Sequence, residues 1–201
     1  RSGTPVSGST RFQGALRIAE RQSCRSFDTG EQALAPGTDV QGAVDLAEMG
    51  GRLYAFFTDT AGMVKYRSAS LGDRGSGACT GPDNPLLSPE RSLADGCLDW
   101  DDGGPHATGI DSSRGVSAIS FDGYMFVAIE RSDGAAEVTW FSQNPDGTLS
   151  SPIGIDARVV GGTTVAPELA ILYHGSGPVL TMIRTDKSGD LRYYEWESTG
   201  F

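Results

Sequence analysis

The segment between residues 95 and 111 is the richest in side chains that could carry chemistry. It contains five aspartates, one tryptophan and one histidine among several glycines. Carboxylate oxygens are preferred ligands of Ca²⁺, which takes about six to eight of them. The expectation is therefore either no cofactor or a weak calcium site, since EF-hand spacing is absent. A solvated acidic loop and a ligand-contacting loop are the alternatives. The predicted calcium ligands are Asp99, Asp101, Asp102 and Asp111.

Aromatic and polar side chains in three places could bind a ligand. Trp100 could stack on a sugar ring within the acidic segment, and Arg131 lies beside a predicted turn. Tyr194 and Trp196 share one face of an alternating strand, where they form either a stacking platform or part of the core. The predicted ligand-binding residues are Trp100, Asp101, Asp102, His106, Arg131, Tyr194 and Trp196.

Catalytic residues are harder to assign than binding residues. A glycoside hydrolase needs two carboxyl groups about 5–10 Å apart, and Asp101 and Glu130 are weak candidates. A sialidase needs three arginines around the substrate carboxylate, and Arg17, Arg131 and Arg184 are available without a matching motif. Neither histidine lies in a zinc-ligand pattern, and G-x-S-x-G and P-loop motifs are absent. The sequence therefore favours a protein without catalytic activity.

The overall charge limits the partners. The formal net charge is −10 and the pI is about 4.6. Such a surface repels phosphate backbones and anionic lipid, so neither nucleic acid nor a membrane surface is an expected partner. No apolar stretch approaches the roughly 20 residues of a membrane helix. The chain begins with arginine instead of methionine, as expected of a processed, secreted protein.

Cysteine placement also favours secretion. Cys79 and Cys97 flank a segment rich in Gly, Pro, Asn and Ser, which a disulfide would stabilise in an oxidising compartment. We therefore predict a Cys79–Cys97 disulfide. The third cysteine, Cys24, is either a buried thiol or a bridge to another chain.

Three segments of the chain align on one another, and each contains a Ser/Thr-Asp pair. They are Leu53–Tyr66, Met125–Trp140 and Val179–Tyr193. An aliphatic residue follows each aspartate by five positions, and an aromatic residue comes two positions later. Aspartate closes a turn through the backbone, and residues two apart share a strand face. Each segment is therefore predicted to be a hairpin with one buried face.

A further apolar run precedes each hairpin, so the repeating unit fits the four-stranded blade of a β-propeller. Residues 41–201 would hold about three such repeats, with a cysteine-containing loop insertion at about 72–100. Strands in residues 1–40 would complete a blade. Propellers close with about four to eight blades, so we expect a homodimer or a second chain that supplies further blades. A β-sandwich of the same strands is the alternative fold.

The hairpins Leu53–Tyr66 and Val179–Tyr193 resemble the units of bacterial and fungal β-propeller lectins, and sialidase-like propellers use similar turns. The resemblance implies sugar binding in pockets between blades. Two features depart from the lectin pattern: the tryptophan that closes each lectin repeat is missing, and the insertion has no counterpart. The leading hypothesis is a secreted carbohydrate-binding module, followed by a propeller-type glycoside hydrolase and by a structural subunit that completes a ring.

Overall fold

The structure is a computed structural model that describes residues 4–5, 12–15, 17–18, 32–33, 39–74, 98–101, 104–158, 167–174, 177–186 and 188–196. These residues are all-β, as predicted, and contain no helix that could span a membrane. The strands are β1 (Thr4–Pro5), β2 (Phe12–Ala15), β3 (Arg17–Ile18), β4 (Gln32–Ala33), β5 (Asp39–Met49), β6 (Arg52–Asp59), β7 (Met63–Arg74), β8 (Leu98–Trp100), β9 (His106–Asp111), β10 (Val116–Phe121), β11 (Tyr124–Glu130), β12 (Ala136–Phe141), β13 (Gly154–Arg158), β14 (Glu168–His174), β15 (Gly177–Thr185) and β16 (Leu191–Glu195).

Three antiparallel meanders follow one another along the chain. In the first sheet β5, β6 and β7 pair in sequence order, and β8 and β9 both pair with β7, one after the other along its outer edge. Strands β10 to β13 form the second sheet and β14 to β16 the third, again in sequence order. The three hairpins expected from the sequence alignment are therefore present as β6–β7, β11–β12 and β15–β16.

The described N-terminal strands join the first sheet or pair with each other. β1 pairs with β2, and β2 pairs with β5 through two residue pairs, Gly14–Val40 and Ala15–Asp39. β3 and β4 pair with each other. The third sheet has three strands. Within the described ranges, β1 and β2 thus extend the first sheet, and no N-terminal strand supplies a fourth strand to the third sheet.

The first strands of the three meanders, β5, β10 and β14, are linked by side-chain hydrogen bonds. We call these the first strands from here on. Asp45 Oδ2 accepts one from the N–H of Ala118 at 2.8 Å and one from the hydroxyl of Ser117 at 3.3 Å. The Ser117 hydroxyl in turn accepts one from the N–H of Leu169 at 3.0 Å. One chain of hydrogen bonds therefore connects all three sheets.

Two glycines let β5 approach the loop that precedes β10. Ala43 and Gly115 form a parallel bridge. Gly42 has a φ of +74°, and a Cβ there would lie 1.5 Å from the carbonyl oxygen of Arg114. A Cβ on Gly115 would lie 2.6 Å from the backbone nitrogen of Ala43. The first and second sheets therefore meet backbone to backbone, without room for a side chain at either glycine.

The second sheet is buried on both faces. Val127 and Ile129 belong to the core cluster shared with the first sheet, and Phe126 and Ala128 to the cluster shared with the third. β6 is also buried on both faces from residue 54 onward. The prediction of one buried face was therefore wrong for the first two hairpins. The unbroken apolar run Met125–Ile129 is typical of a strand that is covered on both sides.

Four five-residue turns share one geometry: 59–63, 131–135, 144–148 and 186–190. In each, the N–H of the fourth residue donates to the carbonyl oxygen of the first. That fourth residue is always glycine, with φ between 82° and 90°, a region that residues with a Cβ rarely adopt. This geometry is a type I turn followed by a glycine bulge, which suits the right-handed twist of a hairpin.

An aspartate stabilises each turn, but from one of two positions. In all four turns its Oδ1 accepts a hydrogen bond of 2.9–3.0 Å from the N–H of the fifth residue. Asp59 and Asp186 are the first residues of their turns, whereas Asp133 and Asp146 are the third. Arg131, not Asp133, is therefore equivalent to Asp59 and Asp186, and the alignment of the second hairpin from sequence was wrong by two residues.

Candidate functional site

A cleft of about 560 Å³ opens between the first and second sheets, next to the 59–63 and 131–135 turns. We call this end of the molecule the turn end. Residues 60–62 and 109–110 contribute to the walls. The polar side chains on the cleft include Gln41, Asp111, Ser112, Ser113, Arg131 and Glu137.

An ion pair forms part of the wall that belongs to the second sheet. Arg131 is the first residue of its turn, and its Nη1 lies 3.1 Å from Oε2 of Glu137 on β12. Arg131 Nε also lies 3.8 Å from Asp133 Oδ2. The Arg131 side chain is 50% exposed and that of Glu137 8%. The guanidinium is therefore open to a ligand, whereas the carboxylate is largely enclosed.

The loop before β10 holds the two walls together. The N–H and hydroxyl of Ser113 both donate to the carbonyl oxygen of Glu130, at 2.7 and 2.9 Å. The Ser112 hydroxyl donates to the carbonyl oxygen of Gly115 at 2.6 Å. Because this loop continues directly from β9 and is bonded to the end of β11, hydrogen bonds connect the two walls of the cleft.

The electrostatics of the cleft disfavour an acidic ligand. Its described ionisable side chains are two carboxylates, Asp111 and Glu137, and one guanidinium, Arg131. The guanidinium is already paired with Glu137, so a ligand carboxylate would meet net negative charge. The other polar residues on the cleft, Gln41, Thr60, Ser112, Ser113 and Ser132, are uncharged. These groups suit a neutral, polyhydroxylated ligand.

Arg131 and Asp111 are the predicted site residues that the structure places in this cleft. Arg131 was predicted as a ligand-binding residue, and its position beside a pocket agrees with that role without testing it. Glu137 was missed. A single charged residue between the apolar Ala136 and Val138 was the signal that could have identified it. Gln41 carries no comparable signal in the sequence.

Trp100 is not available to a ligand. It is 6% exposed and packs with Phe57 and Ala69 in a core cluster on the face of the first sheet away from the second. The surrounding glycines and aspartates suggested a loop, but Trp100 ends β8 and pairs with Ala69. The prediction that its ring stacks on a sugar was wrong, because the ring is part of the core.

Asp101 and His106 lie together at the end of the first sheet opposite the cleft. His106 Nε2 is 2.8 Å from Asp101 Oδ2, and Arg67 Nε donates to Asp101 Oδ1 at 3.0 Å. The imidazole stacks on Tyr66 with ring centroids 5.1 Å apart. The Ser68 hydroxyl donates to the same carboxylate at 3.3 Å. In this arrangement the Asp101 carboxylate is held by the imidazole, the guanidinium and the hydroxyl, as a structural acceptor would be. Nucleophilic catalysis would require a nucleophile in contact with the imidazole that activates it.

The four predicted calcium ligands do not form one site. Asp111 and His106 are the two ends of β9, and His106 contacts Asp101. Asp111 pairs with Met63, whereas the N–H of Asp101 bonds to Ser68, five residues further along β7 and about 16 Å away, so Asp101 and Asp111 cannot bind one ion. Asp102 and the side chain of Asp99 lie outside the described residues. Among the described side chains, no three His, Cys, Asp or Glu residues are grouped so that they could hold a metal.

Glu130 and Asp101 do not form a catalytic pair. Glu130 is on the face of β11 that contains Phe126 and Ala128, toward the third sheet. Its Oε1 lies 3.1 Å from Arg114 Nε, and its Oε2 is buried and accepts no hydrogen bond from the described residues. Asp101 is on the first sheet at the opposite end. The two weak catalytic candidates therefore lie in different surroundings, and neither serves as the second carboxyl group of the other.

The arginines considered for a sialidase do not converge either. Arg131 faces the cleft and the first sheet. Arg184 lies on the other side of the second sheet, where its Nη2 donates to the carbonyl oxygen of Gly134 at 3.4 Å. The side chain of Arg17 is outside the described residues. The two described arginines therefore cannot hold one substrate carboxylate together.

Tyr194 and Trp196 share one face, as predicted, and that face packs on the core between the second and third sheets. The Trp196 ring meets Trp140 edge-on at 4.9 Å and Phe126 at 5.2 Å. Both residues are half-buried. The structure therefore favours the core interpretation of this pair over a stacking platform.

The predicted Cys79–Cys97 disulfide and Cys24 lie outside the described residues. Sequence comparisons add no identity: the chain matches no protein-family model, and no curated protein matches it significantly. A functional conclusion must therefore come from the geometry of the cleft and of the sheets.

Proposed function

We propose that the chain is a carbohydrate-binding module of β-propeller type, in which each sheet is one blade. Three observations support blades over a two-sheet sandwich. The meanders follow one another in the same order, their first strands are linked by hydrogen bonds, and the second sheet is covered on both faces. The second sheet has the four strands of a blade, in sequence order.

The observation that carries the function is the polar cleft between the first and second sheets, whose walls the loop before β10 connects. Ligand pockets are commonly concave and preformed, with a few polar groups that fix the ligand's orientation. The resemblance to propeller lectins implies sugar pockets between neighbouring blades, and this cleft has that location. Because its carboxylates outnumber its guanidinium, we propose a neutral glycan. The half-exposed guanidinium of Arg131 would donate hydrogen bonds to its hydroxyl groups.

A glycan array followed by calorimetric titration of any retained glycan tests this proposal. Arg131→Ala should weaken binding at least about tenfold, because hydrogen bonds to a charged group contribute about 1.5–3 kcal/mol. Arg192→Ala is the matched control, since Arg192 is a half-exposed arginine paired with the aspartate of another turn. No retained neutral glycan, or equal losses in both variants, would sink the proposal.

A glycoside hydrolase is the alternative, and one observation favours it: Asp111 and Glu137 line the same cleft. Release of fluorophore from a panel of fluorogenic glycosides, abolished in Glu137→Gln with the fold retained, would replace the binding proposal with a catalytic one. Binding without turnover favours the module.

We also propose that the protein is secreted and that Cys79 and Cys97 form a disulfide. The segment between them is rich in glycine and proline, and such a segment gains stability from a covalent link. Peptide mass mapping without reductant should find the two cysteines in one linked peptide pair. A link from Cys24 to either of them, or alkylation of all three, would contradict the pairing.

A further inference from the structure

The hydrogen bond between neighbouring first strands repeats from one sheet to the next. Asp45 in β5 and Ser117 in β10 hold equivalent positions in the pairing with the second strand of their sheets. Asp45 accepts the N–H of Ala118, and Ser117 accepts the N–H of Leu169. Each side chain thus binds the main chain of the following first strand, one residue beyond the equivalent position.

Glu168 holds the same position in β14, where it pairs with Ile183. The two earlier positions carry an oxygen acceptor, and Glu168 carries one as well. Its side chain is exposed, and the following first strand that would donate an N–H is not among the described strands. The third sheet therefore repeats the acceptor of the other junctions without a described donor.

The third sheet also exposes apolar positions that the other two sheets bury. Leu191 is 71% exposed, whereas its equivalents Val64 and Ala136 are 0% and 1% exposed. Two residues later, Tyr193 is 46% exposed, and the equivalent residues after Val64 and Ala136 are 3% and 1% exposed. In the first two sheets a following sheet covers these positions. The third sheet therefore exposes the positions at which each of the first two sheets contacts the sheet that follows it.

We propose that this face of the third sheet docks a further antiparallel β-sheet, whose first strand donates a main-chain N–H to Glu168. We call the surface the third-sheet outer face; it includes Glu168, Leu172, Ile183, Leu191, Tyr193 and Glu195. The docked sheet presents an apolar face to Leu191 and Tyr193. The inference rests on the blade arrangement proposed above and is independent of the ligand in the cleft.

Two observations argue against a second copy of this chain as the occupant. Two-fold pairing of the same face on two copies would enclose Glu168 and Glu195 from both copies, four carboxylates, in one interface, which charge repulsion disfavours. A head-to-tail contact would need the outer face of the first sheet, but Phe57 and Ala69 on that face are 0% exposed. The occupant is therefore a sheet of the same repeat, continuous with the two junctions already formed.

The test supplies such a sheet covalently to the full chain. A second copy of residues 112–158, which hold the second sheet and its entry loop, is appended through a flexible linker that raises its effective concentration. Hydroxyl-radical footprinting then compares the chain with and without the extension. Modification of Leu191 and Tyr193 should fall at least about fivefold, toward the exposure of their buried equivalents. Glu168→Gln, which keeps an acceptor oxygen, should retain the protection, and Glu168→Leu should lose most of it.

Each remaining outcome counts against the proposal. Unchanged modification of Tyr193, or an appended sheet that shows no exchange-protected amides, overturns it. Protection that is equal in the Gln and Leu variants removes the role of Glu168. Sedimentation of the unextended chain as a dimer with Tyr193 protected makes a second copy the occupant and overturns the proposed one. Glycan binding is measured on the same proteins, so failure of the docked sheet and failure of the proposed ligand are distinguished.

Discussion

The interface between the first and second sheets has two ends, and they are built differently. At the turn end, the cleft keeps Arg131 half-exposed beside an enclosed carboxylate. At the other end, residues 142–150 of the second sheet fill the space. Tyr54 donates to the carbonyl oxygen of Gly147 at 2.8 Å, and Tyr66 accepts the N–H of Leu149 at 2.8 Å. We call this second region the plug.

The difference shows how one pair of sheets can provide both stability and a site. In the plug, each buried hydroxyl has a main-chain partner, as buried polar groups require. Burial, the largest influence, raises the pKa of both Tyr54 and Tyr66, so the rings stay neutral hydrogen-bonding groups. At the turn end the Arg131 guanidinium stays half-exposed beside the cleft, where a ligand can reach it. The following substitutions test this division of roles.

Gly42→Ala should have the largest effect. The new Cβ would lie 1.5 Å from the carbonyl oxygen of Arg114, a backbone atom that cannot move without separating the first and second sheets. We expect a loss of about 4 kcal/mol or more in the free energy of unfolding, measured by urea denaturation. The cleft should be lost with it.

Gly51→Ala is the control for backbone strain. Gly51 has nearly the same φ, +75°, but a Cβ there meets nothing within 4 Å. Its cost should be about 1 kcal/mol, the strain of the left-handed conformation alone. Equal losses in the two variants would show that the sheets do not meet as closely at Gly42 as the structure has them.

The hairpins were predictable because their signals are local. Apolar runs, glycines at turn positions and aspartates that bond to the backbone all act within a few residues. The same locality explains the misaligned second hairpin. Asp133 bonds to the fifth residue of its turn from the third position, and Asp59 does so from the first. Two positions serve one function, so residue identity alone could not fix the register.

The site was less predictable because it depends on which faces meet. Arg131 could be chosen from its chemistry. Trp100 could not be recognised as a core residue, since that requires knowing that residues 98–100 form a strand that pairs with the outer edge of β7. Asp101 and Asp111 are close in sequence, but they lie beside different parts of β7 and are therefore far apart in the first sheet. Glu137 faces the cleft only because the second sheet presents that face to the first.

Tyr54→Phe should have the next largest effect. It removes a fully buried hydroxyl, which takes away the donor to the carbonyl of Gly147 and one of the two acceptors of the Gln143 amide. We expect a loss of about 1–2 kcal/mol in the free energy of unfolding. Tyr124→Phe, at a 40% exposed tyrosine, should be neutral within about 0.5 kcal/mol. A neutral Tyr54→Phe would mean that the plug is not held by this hydrogen bond.

The Arg131–Glu137 pair at the turn end should couple more weakly. Arg131 is half-exposed, so solvent screens its attraction to Glu137, and exposed pairs contribute about 0.2–1 kcal/mol. A double-mutant cycle with Arg131→Ala and Glu137→Gln should give a coupling in that range by urea denaturation. A coupling of about 3 kcal/mol or more would instead mark a buried structural pair and would weaken the argument that this guanidinium is kept for a ligand.

The smallest expected effect is the acid titration of a turn aspartate. Hydrogen bonds from Ser188 and Arg192 lower the pKa of Asp186 from 3.8 to about 2. Because the folded pKa is the lower one, the contribution to stability is present above pH 4 and disappears as the pH falls toward 2. NMR of the side-chain carboxyl should give a midpoint near 2, and Asp186→Asn should remove that part of the acid destabilisation. Arg192→Ala keeps the aspartate but removes one donor, so the midpoint should rise. An unchanged midpoint in Arg192→Ala would show that the turn's own donors, and not the arginine on the returning strand, hold the carboxylate in its charged form.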